Sequence, residues 1–148
     1  MPLTPHLTQS LQTALAAQAG LAFAVLVGSQ VTGRVHAQSD WDIAVQWDKT
    51  MQPAQRLLAT EELRQRLRQV LAVPEDRVDL IDLADARLAM RSLVDEEGVL
   101  LYAQDDLAWV RFLQNTWAEV EDNDWRRRHA ACCTNTHRDH GLPGQAVQ

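Results

Sequence analysis

Asp40 and Asp42 stand one residue apart in a segment, Asp40 to Trp47, whose two alternating sides read Asp40, Asp42, Ala44 and Trp41, Ile43, Val45, Trp47. A strand has a side-chain period of two, so both carboxylates point the same way. Two close carboxylates repel unless a cation lies between them, and an oxygen-only donor set favours Mg²⁺ or Mn²⁺. Upstream, Gly28-Ser29 closes an apolar run and precedes a short helical candidate from Ser29 to Arg34. Free backbone N–H groups in such a turn receive phosphate oxygens, and Gly28 would let the backbone approach them closely. Each feature also has a plainer explanation: two aspartates facing water, and a strand-to-helix turn with Ser29 as its N-cap. The combination is less ordinary, because ten residues separate Ser29 from Asp40.

A third carboxylate is offered by Val78-Asp79-Leu80-Ile81-Asp82-Leu83. Alternation puts Asp79 and Asp82 on opposite faces, so only one can join Asp40 and Asp42 if the two strands are neighbours. Asp79 is preferred, because apolar Val78 and Leu80 flank it and a charge within a buried strand requires compensation. Asp82 lies at the strand end, within reach of water.

The elements that must position these groups follow from periodicity. Thr4-Pro5 reads as an N-cap and first turn, and Leu7, Leu11, Ala14, Leu15 and Ala19 recur at helical spacing up to Gly20. Leu21 to Val27 is short and apolar on both faces, as a buried strand is. Pro53 opens a helix with Leu57, Leu63, Leu67, Val70 and Leu71 as apolar positions, and Val73-Pro74 ends it. A strand at Val78 to Leu83, a helix at Ala84 to Glu96 and a strand at Gly98 to Ala103 follow. Asp105 caps a last helix that docks through Trp109, Phe112, Leu113, Trp117 and Val120. Residues 1–133 form one domain in this reading, and 134–148 a polar, disordered tail. The fold class is α/β, a small mixed β-sheet with flanking helices, and the helices are expected on one side.

With 148 residues, 46% hydrophobic and 23% charged, the chain has the makeup of one globular domain. Its longest apolar run, seven residues, is far short of the ~20 a membrane span requires, and a secretory leader pattern is lacking, so it reads as cytosolic. The formal charge of −6 argues against generic binding to nucleic-acid phosphate. Two adjacent cysteines, Cys132 and Cys133, cannot form a disulfide framework.

Gly28-Ser29, ten residues, then Asp40-x-Asp42 resembles the signature of the DNA polymerase beta-like nucleotidyltransferase superfamily, with Gly33 and Ser39 where small members often carry Gly and Ser. The likeness extends from the first helix through Gly98-Val99-Leu100-Leu101-Tyr102, which looks like the closing elements of minimal nucleotidyltransferases, the MNT family. It implies that Gly28 and Ser29 hold a nucleoside triphosphate, ATP. It also implies that Asp40, Asp42 and Asp79 are the catalytic carboxylates and the ligands of two Mg²⁺ ions. MNT proteins are typically antitoxins paired with a HEPN ribonuclease toxin, so the implied reaction is adenylylation of a tyrosine on such a toxin, with hetero-oligomer formation. Two rivals stay open: an antitoxin that acts by binding alone, and a transferase acting on a small molecule such as an aminoglycoside. The second needs an acidic substrate pocket that so short a chain is poorly equipped to build.

Other residues carry weaker signals. Arg34 is a phosphate candidate because it follows Gly33 and bears a permanent forked charge, although an exposed helix-end arginine is the plainer reading. His36 reads as a solvated loop histidine. Cys132, Cys133, His137 and His140 have zinc-site composition but unsuitable spacing. Arg126-Arg127-Arg128 reads as a solvated helix terminus, favourable to the helix dipole. Trp41, Trp47, Trp109 and Trp117 are expected to pack inside, and Trp125 to be either an interface anchor or core.

Overall fold

A computed structural model describes residues 4–28 and 40–140, with Glu75 and residues 131–140 described by backbone alone. The expectations for Ser29, Gly33, Arg34, His36 and Ser39 lie outside the described residues. Helix α1 spans Pro5–Ala16, where Thr4 Oγ1 accepts from the Leu7 N–H at 3.1 Å and proline sits in the first turn. Strand β1, Leu21–Val27, is followed by β2, Trp41–Trp47. Helix α2, Pro53–Leu71, is held at its start by the Gln52 N–H donating to Gln55 Oε1 at 2.8 Å. It ends on Ala72 in the left-handed conformation, φ 55°. A single 3₁₀ turn, Glu75–Arg77, delivers β3, Val78–Asp82. Then come α3, Leu88–Glu97, β4, Val99–Ala103, and α4, Asp106–His140.

The four strands form one mixed sheet in the order β3-β2-β1-β4. β1 pairs antiparallel with both β2 and β4, while β2 and β3 run parallel. Both antiparallel pairings carry a register irregularity, between Leu21 and Phe23 in one and between Ala24 and Val25 in the other. None is recorded in the β2–β3 pairing.

Alternation along the central strands builds two cores. Leu21, Ala24 and Leu26 of β1 join Trp41, Ile43, Val45 and Trp47 of β2 against Leu11 and Leu15 of α1 and Leu63, Leu67 and Leu71 of α2. Phe23, Val25 and Val27, with Ala44, face the other way and meet Val94 and Met90 of α3 and Trp109 and Phe112 of α4. Phe23 makes an edge contact with Trp109 at 5.1 Å between ring centres. Burying a Leu or Phe side chain contributes about 1.5–3 kcal/mol, so neither layer is dispensable.

The helices therefore cover both faces, not one, because β1 is apolar on both and each must leave water. Two further expectations change. The helix after β3 begins at Leu88 rather than Ala84, because the Asp82 carboxylate accepts the Ala84 N–H at 3.0 Å and holds the chain in a turn. Trp117 is 61% exposed and does not pack inside. Asp105 does cap the last helix, accepting the Leu107 N–H at 2.9 Å. That helix continues to His140, through the first part of the expected tail, whose residues 141–148 lie outside the described residues. Among the described residues no helix is long and apolar enough to cross a membrane.

Candidate active site

The uninterrupted parallel pairing of β2 with β3 sets Asp42 directly beside Asp79 and Trp41 beside Val78. Trp41, Ile43, Val78 and Leu80 turn into the α1/α2 core, so Asp42 and Asp79 emerge on the opposite face. Asp40 lies two residues before Asp42, just ahead of β2. Asp40 and Asp79 also border one shallow depression of about 640 Å³, together with Arg64 and Asp76.

Asp42 is the most confined of the three. Its carboxyl is pushed above the usual carboxylate pKa by burial first, then by the negative charges of Asp79 and Asp40. The Asp42 carboxyl thus feels the other two. Among the described residues, however, no three His, Cys, Asp or Glu side chains already close around one point as a metal site does. The donor set is all carboxylate oxygen, which fits a hard divalent cation and not a soft one.

Gly28 stands at the end of β1, which pairs Val27 with Asp42. Its φ is +84°, a conformation L side chains rarely adopt, and a Cβ there would lie 2.6 Å from Asp42 Oδ2. In the described residues, then, glycine makes room for a carboxylate. The sequence argument assigned that room to phosphate, and the signal that could have found the contact was the pairing register, which is tertiary.

Asp82 faces the other way. Its carboxylate meets Arg56 of α2 at 3.7 Å and caps the following turn. Arg64, which sequence reasoning left on the wet side of α2, reaches across to donate its Nε–H to the Val78 carbonyl at 3.3 Å, one residue before Asp79. A separate concavity of about 500 Å³ lies at the far end of the sheet, bordered by Phe23, Trp47, Arg91 and Phe112. It is bounded by the start of β1 and the end of β2, whereas Gly28 and Asp42 occupy the opposite ends of those strands.

The sequence model of the family described as polymerase beta, nucleotidyltransferase, matches residues 9–107, which contain every strand and the three carboxylates. The chain belongs to the polymerase beta-like nucleotidyltransferase family. A protein adenylyltransferase MntA from Aphanizomenon flos-aquae (strain 2012/KM1/D3) is 28% identical over 93 residues, covering 61% of this chain and 62% of that protein. The match therefore spans a little under two thirds of that relative's length. Among solved structures, a toxin–antitoxin complex with AMP-PNP is similar at 25% identity and a TM-score of 0.63, covering 87% of this chain and 97% of the other. A complex of tri-AMPylated Shewanella oneidensis HEPN toxin with MNT antitoxin matches in fold at 22% identity and a TM-score of 0.59, covering 88% and 96%. Within this nucleotidyltransferase family, the chain is thus similar to MntA-type antitoxins of HEPN/MNT systems.

Proposed function

We propose that this chain is an antitoxin adenylyltransferase that moves AMP from ATP to a tyrosine hydroxyl of a partner HEPN toxin. The observation that carries the reading is the β2–β3 register, which sets Asp42 beside Asp79 with Asp40 two residues upstream. The relatives add the chemistry: one is described as a protein adenylyltransferase, one is a complex with a non-hydrolysable ATP analogue, and one holds an AMPylated toxin.

In the proposed reaction the tyrosyl hydroxyl gives up its proton to water, its oxygen forms a bond to the α-phosphorus of ATP, the bond from that phosphorus to the α–β bridging oxygen breaks in line, and pyrophosphate leaves. Asp40, Asp42 and Asp79 are the residues that would hold Mg²⁺. When bound, the metal lowers the pKa of the attacking hydroxyl and offsets charge on the triphosphate. The chain's own part is positional. β2 and β3 fix the Asp42 and Asp79 carboxylates on a rigid sheet, and the missing side chain of Gly28 leaves room for that of Asp42. Gly28 and Ser29 are proposed to hold the triphosphate through their backbone, with Arg34 as an additional phosphate contact.

The test is incubation with α-labelled ATP, Mg²⁺ and the cognate toxin, with Asp40→Asn as control. Label on the toxin that disappears in the variant is expected. Tight binding without label would instead support an antitoxin that acts by occupation alone.

A further inference from the structure

Helix α4 has 35 residues, about 52 Å at 1.5 Å per residue, and its two halves live in different surroundings. The first half packs through Ala108, Trp109 and Phe112 on the sheet face and buries Thr116. From Glu121 to Ala130 every residue is exposed, including Trp125 at 53%. In proteins most helical stability comes from tertiary packing, which Glu121 to Ala130 lack, and the local support here is slight. It includes the Asp122–Arg126 and Asp124–Arg127 ion pairs, at 3.0 and 2.6 Å, the Trp125 ring stacked on His129 at 3.8 Å, and a contact of His129 Nδ1 with the Trp125 carbonyl at 2.9 Å.

The charge order of this stretch also requires a cause. Glu119, Glu121, Asp122 and Asp124 precede Trp125, and Arg126, Arg127 and Arg128 follow it. A helix dipole favours that order only within the first and last turns, yet α4 continues twelve residues beyond Arg128. The dipole explanation suggested by the sequence therefore lapses. Glu121, Trp125 and Arg128 stand at i, i+4 and i+7, on one face of the helix. Among the described residues neither Glu121 nor Arg128 has an ion-pair partner.

We propose that this exposed length of α4 pairs antiparallel with the same length of a second copy of the chain, about a two-fold axis passing between Asp124 and Trp125. Glu121 and Arg128 are equidistant from that axis, so each meets the opposite charge on the second copy, twice per dimer. A parallel pairing would set Glu121 against Glu121. The acidic-then-basic order about a single aromatic is the self-complementarity a two-fold interface demands, and an unrelated partner would impose no such symmetry. The two Trp125 rings, each backed by its own His129, cover one another near the axis. Roughly three turns of helix bury less than the ~800 Å² per partner of a standard interface, so the dimer is weak and sensitive to salt.

Sedimentation of the full chain alone, over a range of concentrations, tests this independently of the transfer reaction. The unmodified chain is expected to show a concentration-dependent doubling of mass that recedes as ionic strength rises. Glu121→Arg and Arg128→Glu, each alone, place like charges in both contacts and should weaken association by about tenfold or more. An equimolar mixture of the two variants restores both attractions and should recover the dimer, which neither a folding defect nor a generic loss of solubility would do. The proposal is overturned if the unmodified chain stays monomeric throughout, or if either variant associates as well as the original. It is also overturned if the mixture fails to recover.

Discussion

Replacing Gly28 by alanine adds one methyl group where the structure has room for none. Its Cβ would lie 2.6 Å from Asp42 Oδ2, against about 3.4 Å for an ordinary contact, so the carboxylate must retreat by roughly 0.8 Å. The backbone, at φ +84°, costs an L residue about 1–2 kcal/mol by itself, and forcing the contact adds about 1–2 kcal/mol of strain. A loss of roughly 2–4 kcal/mol of stability is expected from denaturant unfolding. Transfer from labelled ATP should fall on the order of 100-fold in protein that is still folded, as a displacement near 1 Å commonly causes. The two contributions separate in an Asp42→Ala background. There the nearest surviving atom is Asp42 Cβ at 3.5 Å, an ordinary distance, so only the backbone cost of about 1–2 kcal/mol remains. An equal stability cost in both backgrounds, or wild-type transfer by folded Gly28→Ala, would refute the claim that Gly28 exists to clear space for Asp42.

Asp42→Asn should abolish transfer yet raise the melting temperature of the metal-free protein at neutral pH. Burial, Asp79 and Asp40 hold the native carboxyl above its ordinary pKa of 3.8, so the native state binds the proton more tightly than the unfolded chain. The resulting stability is fully present below the ordinary value and is lost as pH rises through the raised one, a decline that calorimetry should find in the wild type and not in the Asn variant. Asp82→Ala should lower stability by about 1–2 kcal/mol, through the loss of Arg56 and the Ala84 N–H, while transfer persists. Asp79→Ala should do the reverse, and a dead Asp82→Ala beside an active Asp79→Ala would sink the register argument. Gly98→Ala, whose Cβ would run into both Val25 Cγ1 and the Val94 carbonyl, should destabilise the α3–β4 junction by about 1–3 kcal/mol, measured by thermal melting.

What a single sequence discloses here depends on whether the cause is local. β1 could be read to its last residue, because a both-faces-apolar heptamer between two glycines has one economical conformation. The opposite faces of Asp79 and Asp82 followed from strand period alone. Which side each helix would cover was not legible, since nothing in the periodicity of α3 or α4 says whether it shares a face with α1. Trp117 recurs at helical spacing with the half-buried Trp109, Phe112, Leu113 and Val120, yet it is exposed while the adjacent Thr116 is buried. The contact between Gly28 and Asp42 and the reach of Arg64 to Val78 both depend on how strands and helices register in space. Neither leaves a trace in spacing along the chain.

The uneven distribution of irregularities in the sheet bears on how such a protein can change over generations. Both recorded slips in pairing involve β1, at its Leu21 to Val25 end, remote from Gly28, while the β2–β3 ladder runs without interruption. A residue gained or lost near the β1–β4 seam can be absorbed by shifting a bulge, and the carboxylates keep their neighbours. The same event inside β3 would bring Leu80 beside Asp42 and turn Asp79 toward the apolar core. Drift in length is therefore cheap on one flank of the molecule and ruinous on the other. Lineages of this fold should tolerate changes of length at the β1–β4 seam and keep the places of Asp42 within β2 and Asp79 within β3, leaving the α2 connection between those strands as the place where additional chain can be accommodated.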